Sequence, residues 1–303
     1  MIETRGLTKR FGHRTAVADV NLTVPAGCAF GFLGHNGAGK TTVIRLLTGL
    51  TQPDAGTITI GGRPLAGQRQ AVLARVGAII EEPRFHHHLS GRENLRVIAS
   101  VRGPQARQRI EPALERVGLA DRAGDRVGGY SQGMRQRLGI ARCLLADPRL
   151  IILDEPMNGL DPGGILGLRR LIADLVAEGR TVFVSSHLID EIEKTCHAAA
   201  VLDSGRLIAQ GPISELIGDT RSRYELTCDH PQAALSLLAR HRAVVQASQV
   251  PGGLQVTLAD PRAAGAVTTM LIEAGITLTG LAPVRTSLAD RFLGLTSRVG
   301  GNS

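Results

Sequence analysis

GGYSQGMRQRLGIARCLLADPRLIILDEP, Gly128 to Pro156, decides the fold of this chain. Its second half contains LIILDE, an apolar, β-branched run ending in Asp154 and Glu155, the pattern of a strand buried on both faces of a parallel sheet. Its first half puts Ser131 and Gly133 where a helix begins, offering a hydroxyl and free N–H groups to an anion. No phosphate-binding sequence lies near them along the chain. Downstream, TVFVSSH is a second apolar run, closed by His187. Each run follows a helical pattern, and strands alternating with helices predict an α/β parallel sheet with covered faces.

Upstream, GHNGAGKTT fits G-x-x-x-x-G-K-[ST], after the strand-like FGFL and before the helical VIRLLTGL. Gly34, His35, Asn36, Gly37, Ala38, Gly39, Lys40, Thr41 and Thr42 are thus expected to wrap the phosphates of a nucleotide. Glycines let successive N–H groups converge on an anion, and the helix N-terminus adds favourable partial charge. Lys40 supplies a compact charge for the β- and γ-phosphates, and Thr41 a hydroxyl for Mg²⁺. Lysine occurs only at positions 9, 40 and 194, whereas arginine is common throughout. Lysine here is therefore a choice, because a planar guanidinium would not fit the same cradle.

LIILDE adds a hard-cation ligand and a base. Asp154 is expected to hold Mg²⁺ through water, and Glu155 to orient and deprotonate the attacking water. A carboxylate pair capping the next element is the plainer alternative. His187 ends its strand on the same sheet edge, where ligands of open α/β sheets collect; this reads as a γ-phosphate contact, although a lone histidine is usually structural. The chain already has one complete cradle, so the helix start at Ser131 has no nucleotide of its own. Two copies placed head to tail resolve this, each Ser131 completing the other's ATP site in trans around two sandwiched nucleotides. The alternative is a simple N-cap serine.

Composition bounds the remaining choices. A chain of 303 residues, 43% hydrophobic and 20% charged, reads as roughly two globular domains. No apolar run reaches about 18 residues, and MIETRGLTKRF lacks the apolar stretch of a secretory leader. Four cysteines without CxxC or metal-ligand spacing fit a reducing, cytoplasmic setting. The net charge of +8 contains no block of like charge and reads as arginine spread over exposed faces. His86-His87-His88 reads as a surface turn, since adjacent residues on a regular element cannot all face one metal.

Residues 1 to 33 read as strands, GTITIGGRPL and AVLDSGRLIAQGP as hairpins, and about 85 to 140 as a charged helical region. A nucleotide-binding domain is expected over 1–218. Over 219–303, strand and helix patterns in the order β-α-β-β-α-β predict a small α+β accessory domain of the split-βαβ, ferredoxin-like type, closed by a helix in SLADRFLGLT.

The phosphate loop, YSQGM ahead of LIILDEP, NGLD and SSH together resemble, in order and spacing, the ATP-binding cassette (ABC) ATPases over residues 1 to 215. That resemblance implies a P-loop NTPase core carrying an antiparallel β subdomain and an α-helical subdomain. It implies that Phe11 in KRFG stacks on adenine, and that Asn158 and Asp161 lie in the loop linking two active sites. The family's LSGGQ reads YSQGM here: Ser131 and Gly133 are kept, Gln132 replaces a glycine, and Met134 replaces the final glutamine, removing an amide from the ribose side. After RVGAII the family carries a glutamine that senses Mg²⁺ and water and faces the membrane partner; this chain has Glu81. A carboxylate can ligate Mg²⁺ directly, a drifted surface residue being the alternative. Glu81, SGRENL at 90–95 and SLADRFLGLT are similar to cassette subunits of bacitracin-type, lantibiotic and drug exporters.

The implied function is an ATPase subunit, cytoplasmic and peripheral on the inner face of the membrane, that dimerises on ATP. It would drive export of an antibiotic or other hydrophobic or peptide compound through a separate transmembrane permease, touched by residues 84 to 100. No nucleic acid is expected. A soluble cassette ATPase acting on ribosomes or nucleic acid is the alternative, but such chains carry two cassettes or a long coiled coil. A GTPase would need NKxD, which is absent, and a small-molecule kinase would leave YSQGM unexplained.

Overall fold

The computed structural model describes residues 1–217, 223–284 and Leu288. The fully buried runs AFGFL (Ala29–Leu33), LIILD (Leu150–Asp154) and TVFVSS (Thr181–Ser186) form the middle of a six-stranded sheet. Its order is Arg206–Pro212, Ala198–Asp203, Ala29–Leu33, Thr181–Ser186, Leu150–Asp154, Val76–Ile79. All neighbours are parallel except the first two, which form a hairpin turning at Ser204 and Gly205. Parallel pairing collects the C-terminal ends of the strands on one edge: Leu33 lies opposite Ser186, and Asp154 opposite Ser185.

An antiparallel sheet lies beside it, ordered Arg14–Val20, Ile2–Phe11, Ala55–Ile60, Arg63–Pro64, with Thr23–Val24 also paired to Ile2–Phe11. One apolar cluster joins the two sheets to the helix Lys40–Leu47, and includes Ile2, Leu7, Val17, Phe30, Phe32, Ile44 and Phe183. The Phe30 and Phe183 rings stack 6.0 Å apart. Burying each phenylalanine contributes about 1.5–3 kcal/mol, so this cluster is what holds the sheets together.

Between Val76–Ile79 and Leu150–Asp154 the chain makes the helices Gly91–Arg102, Pro104–Gln108, Ile110–Arg116 and Gln132–Leu144. Gly91–Arg102 starts in a reciprocal cap. The Ser90 hydroxyl accepts from Glu93 N–H, and the Glu93 carboxylate accepts from Ser90 N–H at 2.8 Å. Two orphan donors of the first turn are thereby satisfied.

Two compact units divide between Leu216 and Ile217; residues 218–222, where the expected boundary falls, lie outside the described residues. The second unit runs strand Arg223–Cys228, helix Pro231–Leu238, strands Val244–Val250 and Gly253–Leu258, helix Ala264–Glu273 and strand Leu278–Pro283. Its antiparallel sheet has the order Val244–Val250, Gly253–Leu258, Arg223–Cys228, Leu278–Pro283. The first strand thus separates the third from the fourth, the geometry of a split βαβ unit. It has a core of its own, with Leu226, Leu254, Val256, Leu238, Val267 and Leu271. Apart from Leu288, the helix expected in SLADRFLGLT lies outside the described residues. Among the described residues no helix is long and apolar enough to cross a membrane.

Ser90→Ala removes one half of the reciprocal cap. It should lower stability by about 1 kcal/mol, read as a reduced midpoint in urea unfolding; an unchanged midpoint would mean that neighbouring contacts, not the cap, hold this helix start.

Candidate functional site

Strand Ala29–Leu33 feeds a loop over residues 34–39 that ends in helix Lys40–Leu47. Only glycine suits its tightest points. Gly39 has φ +107°, and a Cβ there would lie 2.5 Å from the Ala16 carbonyl oxygen; at Gly34 it would lie 2.5 Å from that of Leu202. The loop borders a cavity of about 360 Å³ lined by Phe11, Arg14, Ala16, His35, Asn36, Gly37, Gly39, Lys40, Thr41, Thr42 and Glu155. Gly34 and Ala38 complete the turn behind this wall, Ala38 being buried. Phe11 is 52% exposed at the rim, and the Lys9 ammonium sits 5.5 Å from its ring centroid, held by Asp54 at 2.9 Å. An open aromatic face beside an anion cradle is a stacking platform for a base. Arg14, which sequence reading passed over, also lines the cavity and donates to the Gly37 carbonyl at 3.3 Å. Its place three residues after Phe11, in the strand entering the loop's neighbourhood, was the available signal.

The chemistry-bearing side chains meet where three strands end. Asp154 is 3% exposed, and each of its oxygens takes a hydroxyl: Thr41 Oγ1 donates to Oδ2 at 3.0 Å, and Ser185 Oγ to Oδ1 at 2.5 Å. Lys40, 6% exposed, donates to the carbonyls of Gly34 at 2.6 Å and His35 at 3.3 Å, and lies 3.1 Å from Glu155 Oε1 as an ion pair rather than an aligned hydrogen bond. His187 Nδ1 sits 2.9 Å from Glu155 Oε2. An ionised carboxylate can only accept, so Nδ1 carries the proton of that contact. Glu155 itself has φ +47°, a backbone state costing about 1–3 kcal/mol outside glycine. Its N–H is bound by the Ser185 hydroxyl at 3.0 Å. Ser185 was not singled out by sequence reading.

Other expected site residues are not brought to this cavity. Ser131 caps helix Gln132–Leu144, its hydroxyl accepting from Met134 N–H at 3.2 Å, and Gly133 lies in the first turn. Neither lines the cavity, because the helix starts elsewhere on the same chain. Asp161 is turned into its own helix, capping Gly164 N–H at 2.9 Å. Glu81 was expected as a metal ligand. It does not line the cavity; its carboxylate is 60% exposed and pairs with Arg45 at 2.6 Å. Gln132 donates to the Asn158 carbonyl at 3.0 Å, tying the helix start to the NGLD loop. Burial pushes the Cys143 thiol up to about 11 and Cys196 higher still, so neither provides a nucleophilic thiolate near neutral pH.

Gly39→Ala would force a methyl against the Ala16 carbonyl in a left-handed backbone. Binding of a fluorescent ATP analogue should weaken at least about tenfold (about 1.4 kcal/mol); undiminished affinity would remove the loop from the role of cradle.

Comparison with known proteins agrees with this geometry. The family model for the ABC transporter matches residues 17–158. The bacitracin transport ATP-binding protein BcrA of Bacillus licheniformis is 38% identical over 304 residues, covering 100% of this chain and 98% of its own. The lantibiotic transport ATP-binding protein SrtF of Streptococcus pyogenes is 39% identical over 69% of this chain and 90% of its own. Among solved structures, the ATP-binding subunit of an ABC transporter superposes with TM-score 0.64 at 30% identity, over 71% of this chain and 91% of that one. The cbiO1 cassette of Clostridium perfringens gives TM-score 0.66 at 26% identity, over 72% and 90%. With kinship along its whole length, a phosphate loop and Glu155 on one cavity, and Asp154 and His187 bonded to Thr41 and Glu155 of its wall, the chain belongs to the ABC transporter ATP-binding subunits and is a nucleotide-binding ATPase of that family.

Proposed function

We propose that the protein powers an exporter of a peptide antibiotic or similar hydrophobic compound, acting as a head-to-tail homodimer on a separate transmembrane permease at the inner face of the membrane. The names of its relatives, for bacitracin and lantibiotic transport, support the substrate class. A soluble ATPase working on ribosomes or nucleic acid is not favoured by that kinship.

One observation carries the dimer. The cavity holds Lys40, Thr41 and Glu155, while the capped helix start at Ser131 is not part of it. A second copy can bring its own Ser131 and Gly133 to the open side of the cavity, and Asp161 lies on the loop between. In this reading Phe11 stacks on adenine, the loop N–H groups and Lys40 bind the phosphates, and His187 holds both Glu155 and the γ-phosphate. The hydroxyl of Thr41 and the carboxylate of Asp154, hard oxygens 3.0 Å apart, suit Mg²⁺, which takes few protein ligands beside phosphates and water. Held by these two residues, the ion would supply positive charge to offset that developing on the phosphates. Glu155 then orients water and accepts its proton, an effect of about 10²–10⁴ in rate. Glu81, paired with Arg45, is taken as a further carboxylate for Mg²⁺ in the loop that meets the membrane partner.

The permease is assigned to a groove of about 280 Å³ lined by Arg84, Phe85, His86, Asn94, Val97, Ile98 and Arg142. The Arg142 guanidinium lies 5.4 Å from the Phe85 ring centroid, and Val97 and Val101 are exposed nearby. Apolar positions rimmed by cations suit a short amphipathic helix. The unit from 219 to 303 is taken as an accessory domain.

Glu155→Gln should abolish turnover and trap an ATP-dependent dimer in size-exclusion chromatography; hydrolysis within tenfold of the unaltered chain would assign the base elsewhere. Ser131→Trp should lower turnover by about 10²–10³, as for loss of one transition-state donor, while one copy still binds an ATP analogue normally. Lost binding in the monomer would place Ser131 in its own chain's site and end the head-to-tail reading.

A further inference from the structure

Strand Thr181–Ser186 is buried along its entire length, yet two of its six residues are serines. A buried hydroxyl needs partners, and the two have different ones. Ser186 accepts from Leu188 N–H at 2.9 Å, a local turn that ends the strand. Ser185, 0% exposed, instead reaches across the sheet to the residues of the neighbouring strand end.

The proton pattern at Ser185 is forced. The Glu155 N–H can only donate, so Oγ accepts there; the single hydroxyl hydrogen is then given to Asp154 Oδ1. One side chain thus grips the backbone of one carboxylate residue and the head of the other. Two residues further on, His187 Nδ1 contacts Glu155 Oε2, so the same strand end holds that glutamate by both its backbone and its carboxylate. The left-handed backbone at Glu155, φ +47°, is a state that persists only when its surroundings over-determine it. We propose that Ser185 is a positioning residue for hydrolysis: its hydroxyl bridge from Asp154 to the Glu155 N–H holds the turn that aims the Glu155 carboxylate at water. The proposal rests on Glu155 being the base.

Three variants of the full-length chain test it. Ser185→Ala should reduce kcat by about 10–100-fold, the scale of a misaimed catalytic group, with KM for ATP and binding of a fluorescent ATP analogue within about twofold. Ser185→Cys fills the same space with a weak donor and should fall between the two, with the melting temperature of the unaltered chain. Ser185→Thr keeps the hydroxyl and should recover most of the turnover. Unchanged kcat in both the Ala and Cys variants, or loss of kcat and analogue binding together in the Cys variant, would overturn the proposal. Normal turnover in Glu155→Gln alone would instead overturn the assignment of the base, so the two failures are distinguishable.

Discussion

A buried ammonium is the constraint on which the site depends. Lys40 is almost entirely withdrawn from water, and such a charge is tolerated only if oxygens replace its hydration. The carbonyls of Gly34 and His35 do this from the loop, and Glu155 Oε1 does it from the far side at 3.1 Å. The strands that deliver the loop and the glutamate are not neighbours, since Thr181–Ser186 lies between them. Neutralising one lysine therefore pulls two strand ends together across a third. That third strand is not passive: its end contributes Ser185 and His187 to the same cluster. Its place in the middle of the sheet is set by apolar packing, with Phe183 stacked on Phe30, so the site inherits its alignment from the core.

How much of this could be read beforehand differs from residue to residue for a physical reason. The phosphate loop was legible because its requirements are local: glycine where a side chain would strike backbone, lysine where a compact charge must fit, and threonine at the helix start. The parallel sheet was legible from fully apolar runs alternating with helices. Its strand order was not, since pairing Leu33 with Ser186 and Asp154 with Ser185 joins segments far apart in the chain. Ser185 went unseen for the same reason: in TVFVSSH it is one of two adjacent serines, and only sheet register separates the one that turns the strand from the one that bridges two carboxylate residues. Glu81 shows the converse. Its position was legible, but its pairing with Arg45 was not, since it joins a loop to a helix far back in the chain.

Departures from the family pattern in YSQGM acquire physical content once contacts are known. Gln132 stands in place of a glycine, and its amide donates to the Asn158 carbonyl while lying against Gly159, where a Cβ would fall 2.4 Å from Gln132 Oε1. The residue thus ties the start of helix Gln132–Leu144 to the loop that follows Glu155, whose carbonyl accepts from Asn158 N–H at 3.2 Å. Tyr130, at the place of a leucine, sends its hydroxyl to the Arg122 carbonyl at 2.6 Å and fills the space beside Gly91. A side chain in this segment therefore braces each end: Tyr130 inward to the helical region, Gln132 towards the catalytic loop. Ser131 between them is left with its hydroxyl in a helix cap.

Several of the chain's arginines have a similarly local explanation. Arginines recur where elements must be tied together: Arg92 to Glu111 between helices, Arg180 to Asp147 at a strand start, Arg169 to Glu191 across two helices. Pairs that keep contact with water, such as Arg92 and Glu111, contribute about 1 kcal/mol or less each, so they fix geometry more than they stabilise. Lysine is kept for other uses. Lys9 backs the Phe11 ring with Asp54 holding it, and Lys40 fills the loop. A guanidinium at position 40 would bring a planar fork into a tight curl of carbonyls where a single rounded charge is wanted. At the phosphate loop the division of labour between the two cations thus follows from shape: arginine spans gaps between elements, and Lys40 sits where a compact charge fits among the carbonyls of Gly34 and His35.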